Sequence, residues 1–266
     1  VGTNGGNAVM GLAHSPRIVT DGLVLCVDAA SKRSYPGTGT TWTDLKGGNN
    51  GTLTNGPTFS SANGGSVVFD GTNDYTNFGN IFNDVFAGAD KKFSIMSWVN
   101  YNTLDLNGNN IMNKMGDSNF NENQRQISFK VRNPNNDYGS YELEFFTYFN
   151  LSASNYRGYR TVGADIQTGR FYHFCVSYDG NIDGSDRYGL FVDGVKYSVT
   201  PTYTNGSWGN IQSGTARLAI GAQIGSSSSS PFGVSDASIG NSSIYNRALT
   251  PDEILQNYLS TKERYA

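Results

Sequence analysis

The stretch Arg170-Phe171-Tyr172-His173-Phe174-Cys175-Val176-Ser177-Tyr178-Asp179-Gly180, followed after a short polar insert by Tyr188-Gly189-Leu190-Phe191-Val192-Asp193-Gly194-Val195-Lys196-Tyr197, decides the fold class. Its apolar runs are short, rich in aromatic and β-branched side chains, and each closes on Asp-Gly. Asp193-Gly194 fits a type I′ turn, whose two central positions both need positive φ. Residues 171–197 therefore read as an antiparallel meander of an all-β chain.

Working outward, similar short runs recur at 66–69, 93–101, 126–131 and 141–149, with Gly, Asn and Asp between them. That spacing is the signal of a β-sandwich. In residues 93–99 the set Phe93, Ile95, Ser97 and Val99 alternates with Ser94, Met96 and Trp98, so neither face is wholly polar and the strand belongs in mid-sheet. Residues 22–28 are almost continuously apolar and read as a core strand. Towards the C-terminus, 217–221 and 237–245 read as a last strand pair flanking the serine-rich loop 225–230. A helix follows: Thr250 caps it, Pro251 suits its first position, Glu253 completes a capping box and Leu249 staples onto Ile254. Ile254, Leu255, Tyr258 and Leu259 form the stripe expected to lie on the sandwich.

Composition bounds the function. Of 266 residues, 37% are hydrophobic and only 15% charged, with a formal net charge of -3. No basic field is available to hold a phosphate backbone, which argues against nucleic acid. No apolar run approaches the ~20 residues of a membrane span, so membrane insertion is not expected. Residues 1–14 contain Gly and Asn in a pattern with too little apolar surface to fold alone, so residues 1–20 read as an N-terminal arm, with residues 21–266 as the folded domain. Residues 1–8 lack the apolar core of a secretion signal. Cys26 and Cys175 each lie in an apolar run, and whether they pair is open.

Five motifs follow one another along the chain: Val68-Phe69-Asp70-Gly71 with Asp74-Tyr75, the strand 93–99, residues 170–174 with Tyr178-Asp179-Gly180, residues 190–195, and Ile244-Tyr245-Asn246-Arg247-Ala248-Leu249-Thr250-Pro251-Asp252-Glu253-Ile254. Over residues 22–259 they resemble the laminin-G-like domains of the concanavalin A-like lectin/glucanase superfamily. The resemblance implies a two-sheet antiparallel jelly-roll sandwich with a short C-terminal helix. Residues 10–25, with Asp28-Ala29-Ala30, Ser34-Tyr35-Pro36-Gly37, Thr41-Trp42-Thr43-Asp44-Leu45 and Asn50-Gly51-Thr52-Leu53, are similar to laminin-G-like structural proteins of marine tailed phages, those of cyanobacteria above all. This implies a non-enzymatic protein of the virion surface, a head decoration or a tail or fibre component assembled in the host cytoplasm. Its partners would be other virion proteins, further copies joined through the arm, and host-surface glycans such as lipopolysaccharide.

Because the superfamily includes glycoside hydrolases, Glu142 and Glu144 are weighed as a carboxylate pair, about 7 Å apart on one strand face. The hydrolase pattern has a third acidic residue, whereas here Phe145-Phe146-Thr147 follows, so no catalytic residue is assigned. His14 and His173 stand too far apart for a zinc site or a triad. The family makes calcium the metal to consider, with Asp70 and Asp74 as candidate ligands, yet Ile239-Gly240-Asn241-Ser242 lacks the acidic pair of many relatives. The expectation is no cofactor. Candidate contacts to a glycan or partner are Tyr156, Arg157, Tyr159, Arg160 and Trp208, where stacking on a sugar, a protein interface and simple packing all stay open.

Overall fold

A computed structural model describes residues 16–105, 108–116, 125–133, 139–149, 155–226 and 230–266. Two antiparallel sheets face each other. One runs in the order β14 (Val195–Tyr197), β13 (Tyr188–Val192), β12 (Tyr172–Asp179), β7 (Lys92–Tyr101), β17 (Asp236–Tyr245), β5 (Ser66–Asp70) and β4 (Thr58–Ser60), and β1 (Leu23–Asp28) also pairs with β17. The long strand β17 gives one edge to β7 and shares the other between β5 and β1. The second sheet runs β15 (Val199–Asn205), β11 (Tyr156–Thr161), β10 (Glu142–Tyr148), β9 (Arg125–Arg132), β8 (Asn110–Met115), β16 (Ala219–Ile220), β6 (Tyr75–Asn77), β3 (Gly51–Thr54) and β2 (Thr41–Trp42). The short helix α1 (Asn83–Phe86) follows β6. The all-β sandwich read from the sequence is the observed architecture.

The expected alternation in β7 is present. Phe93, Ile95 and Val99 enter the core between the sheets, while Met96 and Trp98 face outward. Phe93 stacks on Tyr178 at 5.0 Å and meets Phe145 of the opposite sheet edge-on at 6.0 Å. The turn at Asp193-Gly194 has φ of 53° and 79°, as a type I′ turn requires. In contrast, 217–221 and 237–245 do not pair with each other. β16 joins β6 and β8 in one sheet and β17 joins β5, β7 and β1 in the other, so the loop between them bridges the sandwich.

The outer face of the eight-stranded sheet is closed by the chain itself. Helix α2 (Pro251–Thr261) starts with the expected capping box: Glu253 N donates to Thr250 Oγ1 at 3.3 Å and Thr250 N to Glu253 Oε2 at 2.9 Å. Its buried stripe differs from the apolar one expected. Ile254, Asn257 and Thr261 face the sheet, and Leu255 and Leu259 are 40% and 37% exposed. The reason is hydrogen bonding: Trp98 Nε1 donates to Thr261 Oγ1 at 2.9 Å, and Asn257 Nδ2 donates to Tyr245 OH at 3.2 Å. Burying Trp98 Nε1 against a leucine would leave it unpaired, at about 1–3 kcal/mol, while Tyr245 OH also donates to Val19 O at 2.9 Å.

Residues 16–20, expected to belong to the arm, are tied to the same helix. Val19 N donates to Asn257 Oδ1 and Gln256 Nε2 to Arg17 O, while Ile18 and Val19 pack beside Ile254. Residues 1–15 of that arm lie outside the described residues. Beneath the helix, register places Cys26, Ser243, Met96 and Cys175 in one row across β1, β17, β7 and β12. Three strand spacings of about 4.8 Å separate the two thiols. That is twice the Cα separation a disulfide spans, and both cysteines are free and buried.

Candidate functional site

The outer face of the nine-stranded sheet carries no covering helix among the described residues, and its character is set by alternation in three strands. Phe145 and Leu143 of β10 point into the core, which sends Glu142, Glu144, Phe146 and Tyr148 outward. Register sets Tyr148 opposite Tyr156, Phe146 opposite Gly158 and Ser128, and Glu144 opposite Arg160 and Lys130. On the far side of β11, Gly158 faces Tyr203 of β15.

Four aromatic rings meet there. Phe146 lies 6.3 Å from Tyr148, 6.3 Å from Tyr156 and 6.1 Å from Tyr203, and Tyr148 lies 5.7 Å from Tyr156. The arrangement depends on Gly158, because a Cβ at that position would come within 2.4 Å of the Phe146 ring. The ring thus lies against bare backbone. With Met115, Arg125, Ser128, Lys130 and Gln223 these aromatics line an open groove of about 370 Å³, within the range of small-ligand sites.

Cations border the rings. Lys130 Nζ is 5.8 Å from the centroid of Phe146, and the Arg125 and Arg132 guanidinium carbons are 5.9 Å from Tyr148 and 4.7 Å from Tyr203. Arg132 also donates to Tyr203 OH at 3.0 Å, which fixes that otherwise half-exposed ring. Burial pushes the Tyr148 phenol up to about 12, so it stays a neutral hydroxyl at physiological pH. Ser128 Oγ on the floor is buried without a hydrogen-bond partner among the described residues.

The two carboxylates of this face are engaged. Glu142 accepts from Ser140 Oγ, Thr161 Oγ1 and the backbone N–H groups of Gly163 and Ala164. Glu144 is fully buried between Arg132 at 3.3 Å and Lys130 at 3.7 Å. Neither is open to a reacting sugar.

The same alternation divides the other residues singled out from the sequence. Tyr156 lines the groove, and Arg160 lies on the same face, where its Nη1 donates to Thr161 O at 3.3 Å. Tyr159 points the opposite way, 5% exposed and 4.6 Å from the Tyr188 ring, so it packs the core and contacts no ligand. Arg157 is buried and spends its guanidinium on the carbonyls of Tyr156, Asn205 and Gly206. Trp208 packs on Phe149 at 5.8 Å, with the Arg157 and Arg187 guanidinium carbons 5.0 and 4.7 Å from its ring, away from the groove. Phe146, Tyr148 and Tyr203 are groove residues that the sequence reading omitted. For the first two the signal was present, since they share the period of Glu142 and Glu144.

Asp70 and Asp74 do not fit a calcium site. Asp70 Oδ1 accepts from Thr72 N, and Asp74, 3% exposed and shifted upward by burial, accepts from Asp70 N at 3.3 Å; together they close a turn. Among the described residues no group of three His, Cys, Asp or Glu side chains is placed to hold a metal ion. No helix among them is long and apolar enough to cross a membrane. His173 is buried on the helix-covered face beside Trp98, and burial lowers it to about 3, so it is a neutral packing residue.

Two sheets with this strand order, one outer face covered by a capped C-terminal helix and the other left open as a groove, define a lectin-type sandwich. Residues 70–255 match the concanavalin A-like lectin/glucanases superfamily, and the chain belongs to it as a laminin-G-like domain. No curated protein sequence matches the chain. Among solved structures it is similar to Trypanosoma rangeli sialidase in complex with sialic acid, with 13% identity and a TM-score of 0.56, covering 96% of this chain and 37% of the sialidase. It is also similar to domain 4 of AbnA, an extracellular GH43 arabinanase of Geobacillus stearothermophilus in complex with arabinotriose, with 16% identity, a TM-score of 0.56, and coverage of 89% and 98%. The binding domain of Paraclostridial Mosquitocidal Protein 1 gives 14% identity, a TM-score of 0.60, and coverage of 89% and 52%. The chain spans about a third of the sialidase chains it resembles, and at these identities the likeness is one of fold.

Proposed function

We propose that this protein is a non-enzymatic adhesive module that binds a saccharide in the groove of the nine-stranded sheet. One observation carries the reading: Phe146, Tyr148, Tyr156 and Tyr203 converge on the one large sheet face that the described chain leaves open. Aromatic rings bordered by hydrogen-bonding groups suit the apolar faces and hydroxyl edges of sugars. The engagement of Glu142 and Glu144 supports binding without hydrolysis, since an acid/base pair needs both carboxyls at the glycosidic bond.

The setting we propose is the surface of a tailed-phage particle, as head decoration or tail or fibre component, with other virion proteins as neighbours and host-surface glycans as ligand. The resemblance of residues 10–25 to phage structural proteins supports it. The test has two parts. A glycan array run with calcium and with chelator should show binding that Phe146→Ala weakens at least tenfold, and long incubation should leave the bound oligosaccharide uncut. Purified particles should contain the protein by mass spectrometry. An array without binding removes the saccharide reading, cleaved product removes the non-enzymatic one, and absence from particles removes the virion setting.

A further inference from the structure

Resting on the saccharide reading, we infer that the bound sugar carries a secondary amide, as an N-acetylated hexose does, and that Ser128 and Gln223 recognise this group. The four rings do not choose among sugars, because every pyranose has an apolar face to stack. Selection falls to the polar groups of the floor. Ser128 lies on β9 with Phe146 opposite it on β10 and Asn113 opposite it on β8. Neither neighbour satisfies it. Phe146 has no polar side-chain atom, and Asn113 is engaged elsewhere: its Nδ2 donates to Asn110 Oδ1 at 2.9 Å and its Oδ1 accepts from Phe129 N at 3.2 Å. Ser128 is 2% exposed and lines the groove, and its Oγ has no hydrogen-bond partner among the described residues. A buried hydroxyl without a partner is costly, and an acceptor brought by a ligand removes that cost.

Gln223, also a lining residue, is tied to the same strand neighbour. Its Nε2 donates at 3.3 Å to the Asn110 Oδ1 that Asn113 also bonds, which orients the amide and leaves Gln223 Oε1 free of hydrogen bonds among the described residues. The groove thus brings a hydroxyl donor and an amide acceptor together with the thioether of Met115 and the ring of Phe146. That set complements an acetamido group part by part. The carbonyl accepts from Ser128 Oγ, the N–H donates to Gln223 Oε1, and the methyl packs on Met115 and Phe146. A hydroxyl in the same place is too short to meet both polar groups, and it brings no methyl to the apolar ones.

The test is calorimetric titration of the full chain with two matched pairs: chitotetraose against cellotetraose, and methyl N-acetylgalactosaminide against methyl galactoside. Within each pair acetamido replaces hydroxyl and nothing else changes. In at least one pair the acetamido member should bind at least tenfold tighter, because a site built around a polar group rejects the analogue that lacks it. Ser128→Ala and Gln223→Leu should each remove about tenfold of that preference, the loss of one hydrogen bond, and leave the affinity for the plain sugar unchanged. Thermal unfolding verifies that both variants are folded. Equal affinity within both pairs, still lost in Phe146→Ala, overturns the amide reading and leaves the saccharide reading standing. A preference that survives both substitutions overturns the assignment to Ser128 and Gln223. If none of the four sugars binds, the amide inference falls, and the glycan array alone decides the saccharide reading.

Discussion

Substituting Gly158 separates the groove from the stability of the fold. Gly158 sits inside β11, opposite Phe146 and Tyr203, and its φ is not positive, so alanine fits the backbone. The obstacle is the ring alone. A Cβ would approach Phe146 Cε1 and Cζ to 2.4 Å, about 1 Å short of ordinary contact. The ring can only yield outward, because backbone lies on its other side. Overpacking costs roughly 1–3 kcal/mol, and replacing a strand glycine returns about 0.5–1 kcal/mol. Gly158→Ala should therefore lose only about 1 kcal/mol of stability, a fall in Tm of about 2–4 °C. The displaced ring no longer offers its face beside Tyr156, and saccharide affinity should fall at least tenfold. Gly240→Ala is the control: its Cβ would meet Tyr265 OH at 2.4 Å on the helix-covered sheet, so it should cost stability without changing affinity. Paired calorimetric unfolding and binding titrations of the two variants decide the matter. Unchanged affinity in Gly158→Ala, or equal affinity loss in both, would refute the placement of the site.

Three further outcomes follow from Lys114, Glu253 and the two thiols. Lys114 is fully buried, donates to Asn80 Oδ1 and Ala216 O, and is lowered by burial from 10.5 to about 8. Between those values the unfolded chain binds the extra proton, so Lys114 makes stability rise with pH, by up to about 3 kcal/mol over the window. Because buried tyrosines and thiols pull the other way above their unfolded values, the signal is the difference between wild type and Lys114→Met in urea titrations from pH 7.5 to 10; a pH-independent difference would contradict it. Glu253 is held near 2 by the Arg247 fork at its carboxylate, so its contribution to the start of α2 is complete above about 4.5 and is lost as pH falls towards 2. Hydrogen-exchange protection of the first α2 amides, relative to their intrinsic rates at each pH, should fall in that range in wild type and be low throughout in Glu253→Gln. Cys26 and Cys175 are buried and their thiolates disfavoured by burial, so a thiol reagent should label neither in the native protein and both after denaturation. Rapid native labelling would show that α2 does not stay docked.

Much of the fold was written locally. Asp193-Gly194 can hardly be anything but a tight reversal, the period of 93–99 states which side chains share a face, and Thr250, Pro251 and Glu253 specify a helix start with groups at most three residues apart. Such signals are legible because the atoms that satisfy them are neighbours in sequence. In Tyr156-Arg157-Gly158-Tyr159-Arg160 the period of two was also legible, and only its phase was missing: nothing local says whether Tyr156 or Tyr159 faces the core.

Tertiary structure decided that phase and everything that depends on it. Pairing of β11 with β10 sends Tyr159 against Tyr188 and sets Tyr156 beside Tyr148, while Tyr203 arrives from a Thr-rich strand with no apolar pattern to announce it. The same holds for 217–221 and 237–245, adjacent in sequence yet placed in different sheets, and for α2, which turned Asn257 and Thr261 inward to satisfy Tyr245 and Trp98. The sequence alone determined strands such as β1, β7 and β12, the Asp193-Gly194 turn and the helix cap, whereas β8, β11 and β15 carry no local signal that the reading used. Which surfaces they close, and the groove they leave open, rested on burial and hydrogen bonds between residues far apart in the chain, a choice made only when the whole core forms.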